Sequence, residues 1–271
     1  MSIKKIQQLR NITALGIMEC KEALSKANGN VELAIENLYS KGTIKYVKKN
    51  AKQLGFVNTC MNKERNRAVI IEFNTQTDFV SKNKQFLDFV DRVTEIALVK
   101  KIDNIEVLLN SKIDEKSIKQ HQSILVNQFK ENITISRLKY ICVENGVLGS
   151  YVHNNKIGVI ITLDKDNVTL AHDLAIHATA MKPEYVRVSD VEEERIKKEK
   201  RILEDQVKTL HPKKNTSILN KIVEGKLNKL FQEIVLTKQV FVKDKNKSIE
   251  NLLNDNKCNI INMYRFEVSN D

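Results

Sequence analysis

The chain has 271 residues, of which 29% are charged, and a formal net charge of +11. At roughly 150 residues per domain, this length predicts one to three domains. No stretch approaches the ~20 consecutive apolar residues of a membrane-spanning helix. With only 8 Gly and 2 Pro, the composition excludes collagen-like and Pro/Gly-rich disordered chains and favours long, uninterrupted secondary structure.

The cysteines and the charge narrow the compartment and the kind of partner. The four cysteines lie far apart and form no C-x-x-C pair, which indicates neither a zinc site nor a disulfide framework and favours a reducing cytosol. An excess of basic residues favours binding to nucleic acid, to the ribosome or to an acidic protein partner. A Lys-rich solvated surface is the simpler interpretation, because 45 basic residues accompany 34 acidic ones and no Arg-rich block occurs.

The first 42 residues predict a bundle of three short helices, because apolar side chains recur at helical spacing through each of them. Gly29 suits a left-handed position after the second helix, and Asn30 suits the N-cap of the third. The predicted buried residues are Ile3, Ile6 and Leu9 in the first helix, Met18, Cys20, Ala23, Leu24 and Ala27 in the second, and Val31, Ala34, Ile35 and Leu38 in the third.

Beyond the bundle the hydrophobic period changes. Residues 41–54 carry five lysines and no acid, which predicts a linker helix with a solvated face rather than a phosphate contact. Residues 56–61 and 68–74 alternate around a polar turn and predict an antiparallel hairpin. A helix is predicted at residues 83–100, with further helical pieces at 105–109 and 118–129.

The hairpin-and-helix pattern then recurs. Residues 149–153 and 157–163 predict a second hairpin, and residues 170–181 predict the helix that follows it. Val159-Ile160-Ile161 repeats the apolar run Val69-Ile70-Ile71. We therefore expect two related α+β subdomains, each an antiparallel sheet with helices on one face.

Residues 189–236 predict an antiparallel coiled-coil hairpin inserted in the second subdomain. Two helical segments flank a break at Pro212, and the second segment repeats apolar residues at spacings of 4, 3 and 4 from Val223 to Ile234. Residues 236–242 and 260–268 alternate and predict strands of the second sheet. The fold class is thus α+β, with domains 1–54, 55–140, 141–188 joined to 237–271, and 189–236.

The motifs of covalent catalysis are absent from the sequence. No P-loop, dinucleotide Gly motif, H-E-x-x-H or nucleophile elbow occurs. His172 and His177 are five residues apart, which places them on different faces of a helix, so a structural role is the better interpretation. The sequence fits a binding protein better than an enzyme.

One polar segment differs from its surroundings. Thr77, Asp78, Phe79 and Val80, here called the TDFV segment, follow the first hairpin. An acid beside an aromatic residue at a loop tip offers a hydrogen-bond acceptor together with an apolar wedge. The alternative is that Thr77 or Asp78 caps a helix and Phe79 packs beneath it.

Four motifs resemble those of the bacterial elongation factor Ts family. Residues 9–24 read L-R-N-I-T-A-L-G-I-M-E-C-K-E-A-L, against the family's L-R-x-x-T-G-A-G-x-M-D-C-K-K-A-L. Residues 72–80 read E-F-N-T-Q-T-D-F-V, against E-x-N-x-x-T-D-F-V. Residues 148–153, L-G-S-Y-V-H, and residues 265–268, R-F-E-V, follow in the family's order. Lys130 departs from a frequent Gly, and a C-terminal helical module that some members of the family carry is expected to be missing after Asp271.

The resemblance implies an architecture and an activity. The family has a small ubiquitin-associated-like (UBA-like) bundle, two core subdomains and a coiled-coil hairpin. Its members are cytoplasmic exchange factors for the GTPase elongation factor Tu, are not enzymes themselves, and need no cofactor or metal of their own. The TDFV loop displaces Mg²⁺ in the GTPase, which here implicates Thr77, Asp78, Phe79 and Val80. Ile17, Met18 and His153 are implied to contact the same partner.

The remaining partner predictions and rival functions stay open at this point. The resemblance implies neither membrane association nor direct nucleic-acid binding. It leaves the oligomeric state open, and a homodimer or a 2:2 complex with the GTPase is possible. One rival is a basic RNA- or ribosome-binding accessory protein without exchange activity, which aromatic–basic clusters on a sheet face would favour. A second rival is a scaffold that self-associates through its coiled coil.

Overall fold

The computed structural model describes residues 3–13, 16–40, 54–210 and 215–268, and its contacts divide the chain into two compact units, residues 1–52 and 53–270. The predicted Lys-rich linker helix and the Pro212 break lie outside the described residues.

The helices are α1 (Ile3–Thr13), α2 (Ile17–Lys26), α3 (Val31–Ser40), α4 (Asp78–Ser81), α5 (Lys84–Val99), α6 (Ile105–Asn110), α7 (Ile118–Phe129), α8 (Val168–Met181), α9 (Glu193–Leu210), α10 (Thr216–Ile234) and α11 (Ile249–Asp255). The strands are β1 (Leu54–Met61), β2 (Arg67–Thr75), β3 (Lys112–Ile113), β4 (Lys116–Ser117), β5 (Thr134–Cys142), β6 (Val147–His153), β7 (Ile157–Leu163) and β8 (Ile260–Glu267).

The first unit is a bundle in which α1, α2 and α3 contact one another. Gly29 has a φ of +75°, and the Asn30 side chain accepts a hydrogen bond from the Leu33 N–H at 3.2 Å, as the sequence predicts. Its buried residues are Leu9, Cys20, Ala23, Leu24, Ala27, Ala34 and Leu38.

Two apolar residues that the sequence predicts to be buried in the bundle are exposed. Met18 is 74% exposed and Ile3 is also 74% exposed. Ile3 is the first residue of α1 and Met18 is the second residue of α2. At the beginning of a helix no preceding turn is present to cover a side chain. The described residues do not include the side chain of Ile35.

The first sheet has the order β1-β2-β5 and is antiparallel throughout. Its helix-covered face packs against α5 through a cluster of aromatic rings, in which Phe86 meets Phe56 and Phe73 edge-on at centroid distances of 5.8 and 6.3 Å. Burial of these rings fixes α5 against the sheet, because each carries a large apolar surface. The predicted hairpin and helix are confirmed, whereas β5 was not predicted.

The second sheet has the order β6-β7-β8 and is also antiparallel. Helix α8 lies on it at close range, since a Cβ added to Gly149 would lie only 2.2 Å from the backbone carbon of Ala171. The runs Val69-Ile70-Ile71 and Val159-Ile160-Ile161 both occupy the middle strands and are fully buried. The predicted α+β class with antiparallel sheets is therefore confirmed.

The two sheets face each other across a shared apolar layer. Its members come from both sheets and include Val57, Ile70, Leu148 and Ile160. Gly158 of β7 lies against β1, because a Cβ there would approach a Val57 methyl group to 2.5 Å. This close approach brings the β6–β7 turn beside the beginning of β1.

Helices α9 and α10 contact each other, and the coiled-coil geometry of residues 189–236 stays a prediction. Their buried positions include Val207 and Val223. The strand predicted at residues 236–242 is wrong, because the chain forms a 3-10 turn at Leu236–Lys238 followed by an isolated bridge at Val240. The strand predicted at 260–268 is confirmed as β8.

Candidate functional site

The TDFV segment follows β2 directly, where the first sheet ends. Thr75, the last residue of β2, is buried, and its hydroxyl lies 3.0 Å from the carbonyl oxygens of both Leu54 and Thr77. The hydroxyl therefore connects the end of β2, the beginning of β1 and the TDFV segment. Helix α4 begins three residues after Thr75, at Asp78.

Phe79 and Val80 are neighbours in α4 with opposite surroundings. The Phe79 side chain is 80% exposed, whereas Val80 is 3% exposed and belongs to the core beneath the helix. An exposed phenylalanine leaves a large apolar surface in water, and burying that surface against a partner would be favourable. The alternative in which Phe79 packs beneath the helix is therefore wrong, and Val80 fills that position.

Thr77 stands at the N-cap position of α4 but does not cap the helix with its side chain. Instead its hydroxyl donates to Glu131 Oε1 at 2.7 Å, and its backbone N–H donates to Glu131 Oε2 at 3.1 Å. One carboxylate thus takes both donors of Thr77. The two residues are 54 positions apart in the chain, so no local sequence pattern connects them.

Asp78 forms an ion pair on the outer side of α4. Lys82 donates to its Oδ2 at 2.7 Å, and this hydrogen bond, with the nearby charges of Lys82 and Lys156, holds the pKa of Asp78 below its ordinary value. Because the pair is exposed, water screens it and it contributes little to stability. The carboxylate stays ionised and accessible beside Phe79.

The β6–β7 turn approaches the same region from the second sheet. The Val57 N–H donates to the Asn155 carbonyl at 2.7 Å, and Lys156 Nζ donates to the Gly55 carbonyl at 2.8 Å. Partial burial lowers the pKa of Lys156, with Asp78 acting in the opposite direction. Lys156 is therefore a cation close to the TDFV segment that no local sequence pattern indicates.

The other predicted contact residues are exposed and are divided between the two units. His153 is the last residue of β6, and its ring lies beside Tyr151, with the centroids 6.3 Å apart. Ile17 and Met18 begin α2 in the first unit and are 56% and 74% exposed. The structure thus groups the four TDFV residues, with the turn after His153 on the same unit.

The described part of the chain contains no cluster of three or more His, Cys, Asp or Glu side chains with the spacing to hold a metal ion. Across the same residues, none of the helices combines the length and the apolar character needed to cross a membrane. The site consists of a protruding apolar side chain on an anchored segment, with charged neighbours. An aromatic side chain presented in this way can enter a pocket on another macromolecule.

The chain is similar to known proteins over nearly its whole length. A family model described as "Elongation factor TS" matches residues 76–270. The chain is 39% identical over 264 residues to the elongation factor Ts of Pseudoalteromonas atlantica and 40% identical over 266 residues to that of Pectobacterium carotovorum, covering 97% of this chain and 89% of each relative. It is 35% identical over 272 residues to that of Acidithiobacillus ferrooxidans, covering 98% of this chain and 91% of the relative.

Proposed function

The chain belongs to the elongation factor Ts family and has a role in translation elongation, and we propose that it is a guanine nucleotide exchange factor for elongation factor Tu. It binds the GDP-bound GTPase, promotes release of GDP and leaves when new nucleotide binds. The single observation that carries the proposal is the 80% exposure of Phe79 on a segment anchored to the sheet.

Phe79 acts as an apolar wedge. Its ring enters a site between elements of the GTPase and moves them, because burying a side chain of this size contributes about 1.5–3 kcal/mol. That free energy is gained only when the ring leaves water, so it favours the conformation of the partner that admits the ring. Val80 and Thr77 hold the base of the wedge in place through the core contact and the Glu131 bonds.

Displacement of Mg²⁺ from the GTPase loosens the nucleotide. A GTPase holds its nucleotide phosphates through a phosphate loop and Mg²⁺, and loss of the cation leaves phosphate charge unneutralised. Asp78 accepts hydrogen bonds from the partner and orients the TDFV segment, a task that suits its ionised and exposed carboxylate. No covalent bond changes in this chain, so it is an exchange factor and not an enzyme.

Release of the factor follows from thermodynamic reciprocity. If the factor weakens nucleotide binding by some ratio, the nucleotide weakens binding of the factor by the same ratio. Arrival of either GTP or GDP therefore expels the factor, and the concentrations of the two nucleotides decide which one the GTPase keeps. The activity is catalytic only in the sense that the factor is recovered.

Ile17, Met18 and His153 provide further contacts with the partner. All three are exposed on the chain, and Ile17 and Met18 offer apolar surface on a unit separate from the TDFV segment. A basic protein with a net charge of +11 is also attracted to an acidic partner over distance, which raises the association rate at low salt. We place the exchange reaction in the cytoplasm.

The direct test measures release of fluorescent GDP from purified elongation factor Tu in Mg²⁺, with and without this protein. We expect faster release that saturates with the concentration of the protein. A release rate independent of the protein contradicts the proposal and favours the RNA- or ribosome-binding alternative, which a filter-binding measurement with ribosomal RNA would then support. A chelator in place of Mg²⁺ should accelerate release without the protein, because the metal holds the nucleotide.

A further inference from the structure

The carboxylate of Glu131 reaches the TDFV segment from a distant part of the sequence. It accepts the Thr77 hydroxyl at 2.7 Å and the Thr77 N–H at 3.1 Å through its two different oxygens. A carboxylate that accepts two donors from one residue fixes both the position and the orientation of that residue. The contact therefore restrains Thr77 more strongly than a single hydrogen bond would.

Glu131 is itself held by the segment that joins α7 to β5. Lys130 ends α7 in a left-handed conformation with a φ of +56°. Ile133 is 1% exposed, and its carbonyl accepts a hydrogen bond from the Gln122 side chain at 2.6 Å. The carboxylate thus projects from a short connection that joins the end of α7 directly and is anchored at Ile133, so it can serve as a fixed point.

The TDFV segment needs such a fixed point because α4 has four residues. A single helical turn is unstable alone, since its nucleation is unfavourable and few hydrogen bonds reward it. Its position is set by Val80 beneath it, by the Thr75 hydroxyl at its beginning and by Glu131 at Thr77. Removing the Glu131 carboxylate leaves the buried Val80 side chain and the Thr75 hydroxyl in place, so the effect of this restraint can be tested by itself.

We propose that Glu131 is a positioning residue for nucleotide exchange, which holds Thr77 so that Phe79 is presented in its active orientation before the partner arrives. This role rests on the proposed function of the TDFV segment. A wedge that is ordered in advance loses less conformational freedom on binding and therefore acts more efficiently. If the active orientation becomes a minor state, the apparent affinity falls in proportion to its population.

The substitutions that test this role differ in the hydrogen bonds they leave. Glu131→Ala removes both acceptors. Glu131→Gln keeps two neutral bonds, since its amide oxygen accepts the Thr77 N–H and its amide nitrogen donates to the Thr77 hydroxyl. Thr77→Val removes the hydroxyl from the other side of the contact. Glu115→Gln, an exposed carboxylate in the turn between β3 and β4, is the matched control.

Exchange efficiency, the maximal rate divided by the half-saturating concentration, is the first readout. We expect it to fall about tenfold or more in Glu131→Ala, because hydrogen bonds to a charged acceptor change an equilibrium by roughly that factor. Glu131→Gln should retain most of the efficiency, and Glu115→Gln should match the wild type. The double variant, Glu131→Ala with Thr77→Val, should lose less efficiency in total than the product of the two single fold-losses, because both substitutions remove the same contact.

Amide hydrogen exchange at Thr77 is the second readout, and it needs no partner. The Thr77 amide should exchange faster in Glu131→Ala than in the wild type, while the amides of α5 keep their protection. If Glu131→Ala does not fold, the exchange efficiencies of the wild type, Glu131→Gln and Thr77→Val are compared instead. We expect the wild type to be the most efficient, Glu131→Gln to be intermediate and Thr77→Val to be the least efficient.

The outcomes separate this role from the function on which it rests. A wild-type protein without exchange activity contradicts the proposed function, and this role with it. An active wild type alongside a folded Glu131→Ala of equal efficiency contradicts the positioning role alone. Faster Thr77 amide exchange with unchanged efficiency would also contradict it, because a loosened segment would then work as well as an ordered one.

Discussion

At the scale of single residues, a buried histidine connects the second sheet's helix to the chain after α10. His177 is fully buried, and its Nε2–H donates to Gln239 Oε1 at 2.9 Å, while its Nδ1 accepts the Val242 N–H at 3.3 Å. The Gln239 amide donates in turn to the Glu233 carbonyl at 2.7 Å. This network satisfies the neutral imidazole on both nitrogens, in agreement with the structural role predicted for His177.

The His177 network predicts a loss of stability in mild acid. Burial lowers the pKa of His177, so below its ordinary value of about 6.5 the unfolded chain binds a proton that the folded chain excludes. The free energy of unfolding should therefore fall as the pH drops below about 6.5, by up to about 1.4 kcal/mol per pH unit until the folded pKa is reached. Thermal melts between about pH 7.5 and pH 5.5 measure this slope.

Two variants identify the source of the slope. In His177→Gln the pH dependence of the melting temperature should be reduced, although the protein will be less stable at every pH. His172→Gln changes an exposed histidine of the same helix and should keep the wild-type slope, because His177 is still present. Equal slopes in the wild type and in His177→Gln would show that another group is responsible.

At the scale of elements, helices α9 and α10 join the rest of the unit through a buried base. Ile234 and Val235 are buried with Val191 at this base. The Tyr185 N–H donates to the Ile234 carbonyl at 3.0 Å, and the Leu236 N–H donates to the Tyr185 carbonyl at 2.9 Å. The outer part exposes more apolar surface, as at Leu210, which is 66% exposed.

Shortening α9 and α10 should therefore be tolerated where their complete excision is not. Replacing residues 200–226 with a Gly/Ser linker keeps the base, so the core should melt as in the wild type and retain much of its exchange activity. Deleting residues 189–236 removes several buried side chains worth about 1.5–3 kcal/mol each and should lower the free energy of unfolding markedly. Circular dichroism melts and GDP release on both variants test this, and equal stability of the two would contradict it.

The predicted elements show which patterns the sequence reveals and which it hides. Hairpins and amphipathic helices were predicted because their periods are regular. Strand β5 was missed because a bulge shifts its register between Glu72 and Phe73 of β2. Ile135 and Leu138 therefore face the same core although they are three residues apart. Residues 236–242 alternate as a strand does, yet Gln239 turns inward to His177 and the backbone follows a 3-10 turn instead.

Some residues of the candidate site are indicated by the sequence, and others are brought there only by the fold. Phe79 and Asp78 could be identified from the sequence, because an acid beside an aromatic residue interrupts a regular pattern and resembles a family motif. Glu131 and Lys156 could not, because each reaches the TDFV region only once the chain has folded. Contacts across 54 and 101 residues leave no periodic trace.

At the scale of the whole molecule, the two units predict a division of labour. Ile17 and Met18 are exposed on the first unit, so Ile17→Ser combined with Met18→Ser should leave the melting temperature unchanged. If both side chains bind the partner, the half-saturating concentration should rise about tenfold or more while the maximal exchange rate stays near that of the wild type, since each buried side chain contributes about 1.5–3 kcal/mol. Titration of the exchange rate measures both quantities.

The control for this variant is Leu24→Ala in the same bundle. Leu24 is fully buried, and its truncation should cost about 2–5 kcal/mol of stability. An unchanged half-saturating concentration in the folded double variant would exclude Ile17 and Met18 from the interface. A lower maximal rate would instead give them a part in the exchange step itself.

The central claim is that exposed Phe79 drives release of GDP, and the exchange rate of Phe79→Ala tests it most directly. Phe79→Ala should melt like the wild type, because the ring is 80% exposed, and should release GDP from elongation factor Tu more slowly in Mg²⁺. Phe86→Ala, which truncates a fully buried ring, should instead lose about 3–5 kcal/mol of stability. With a chelator, the wild type and Phe79→Ala should converge. A stable Phe79→Ala that releases GDP at the wild-type rate in Mg²⁺ would contradict the account.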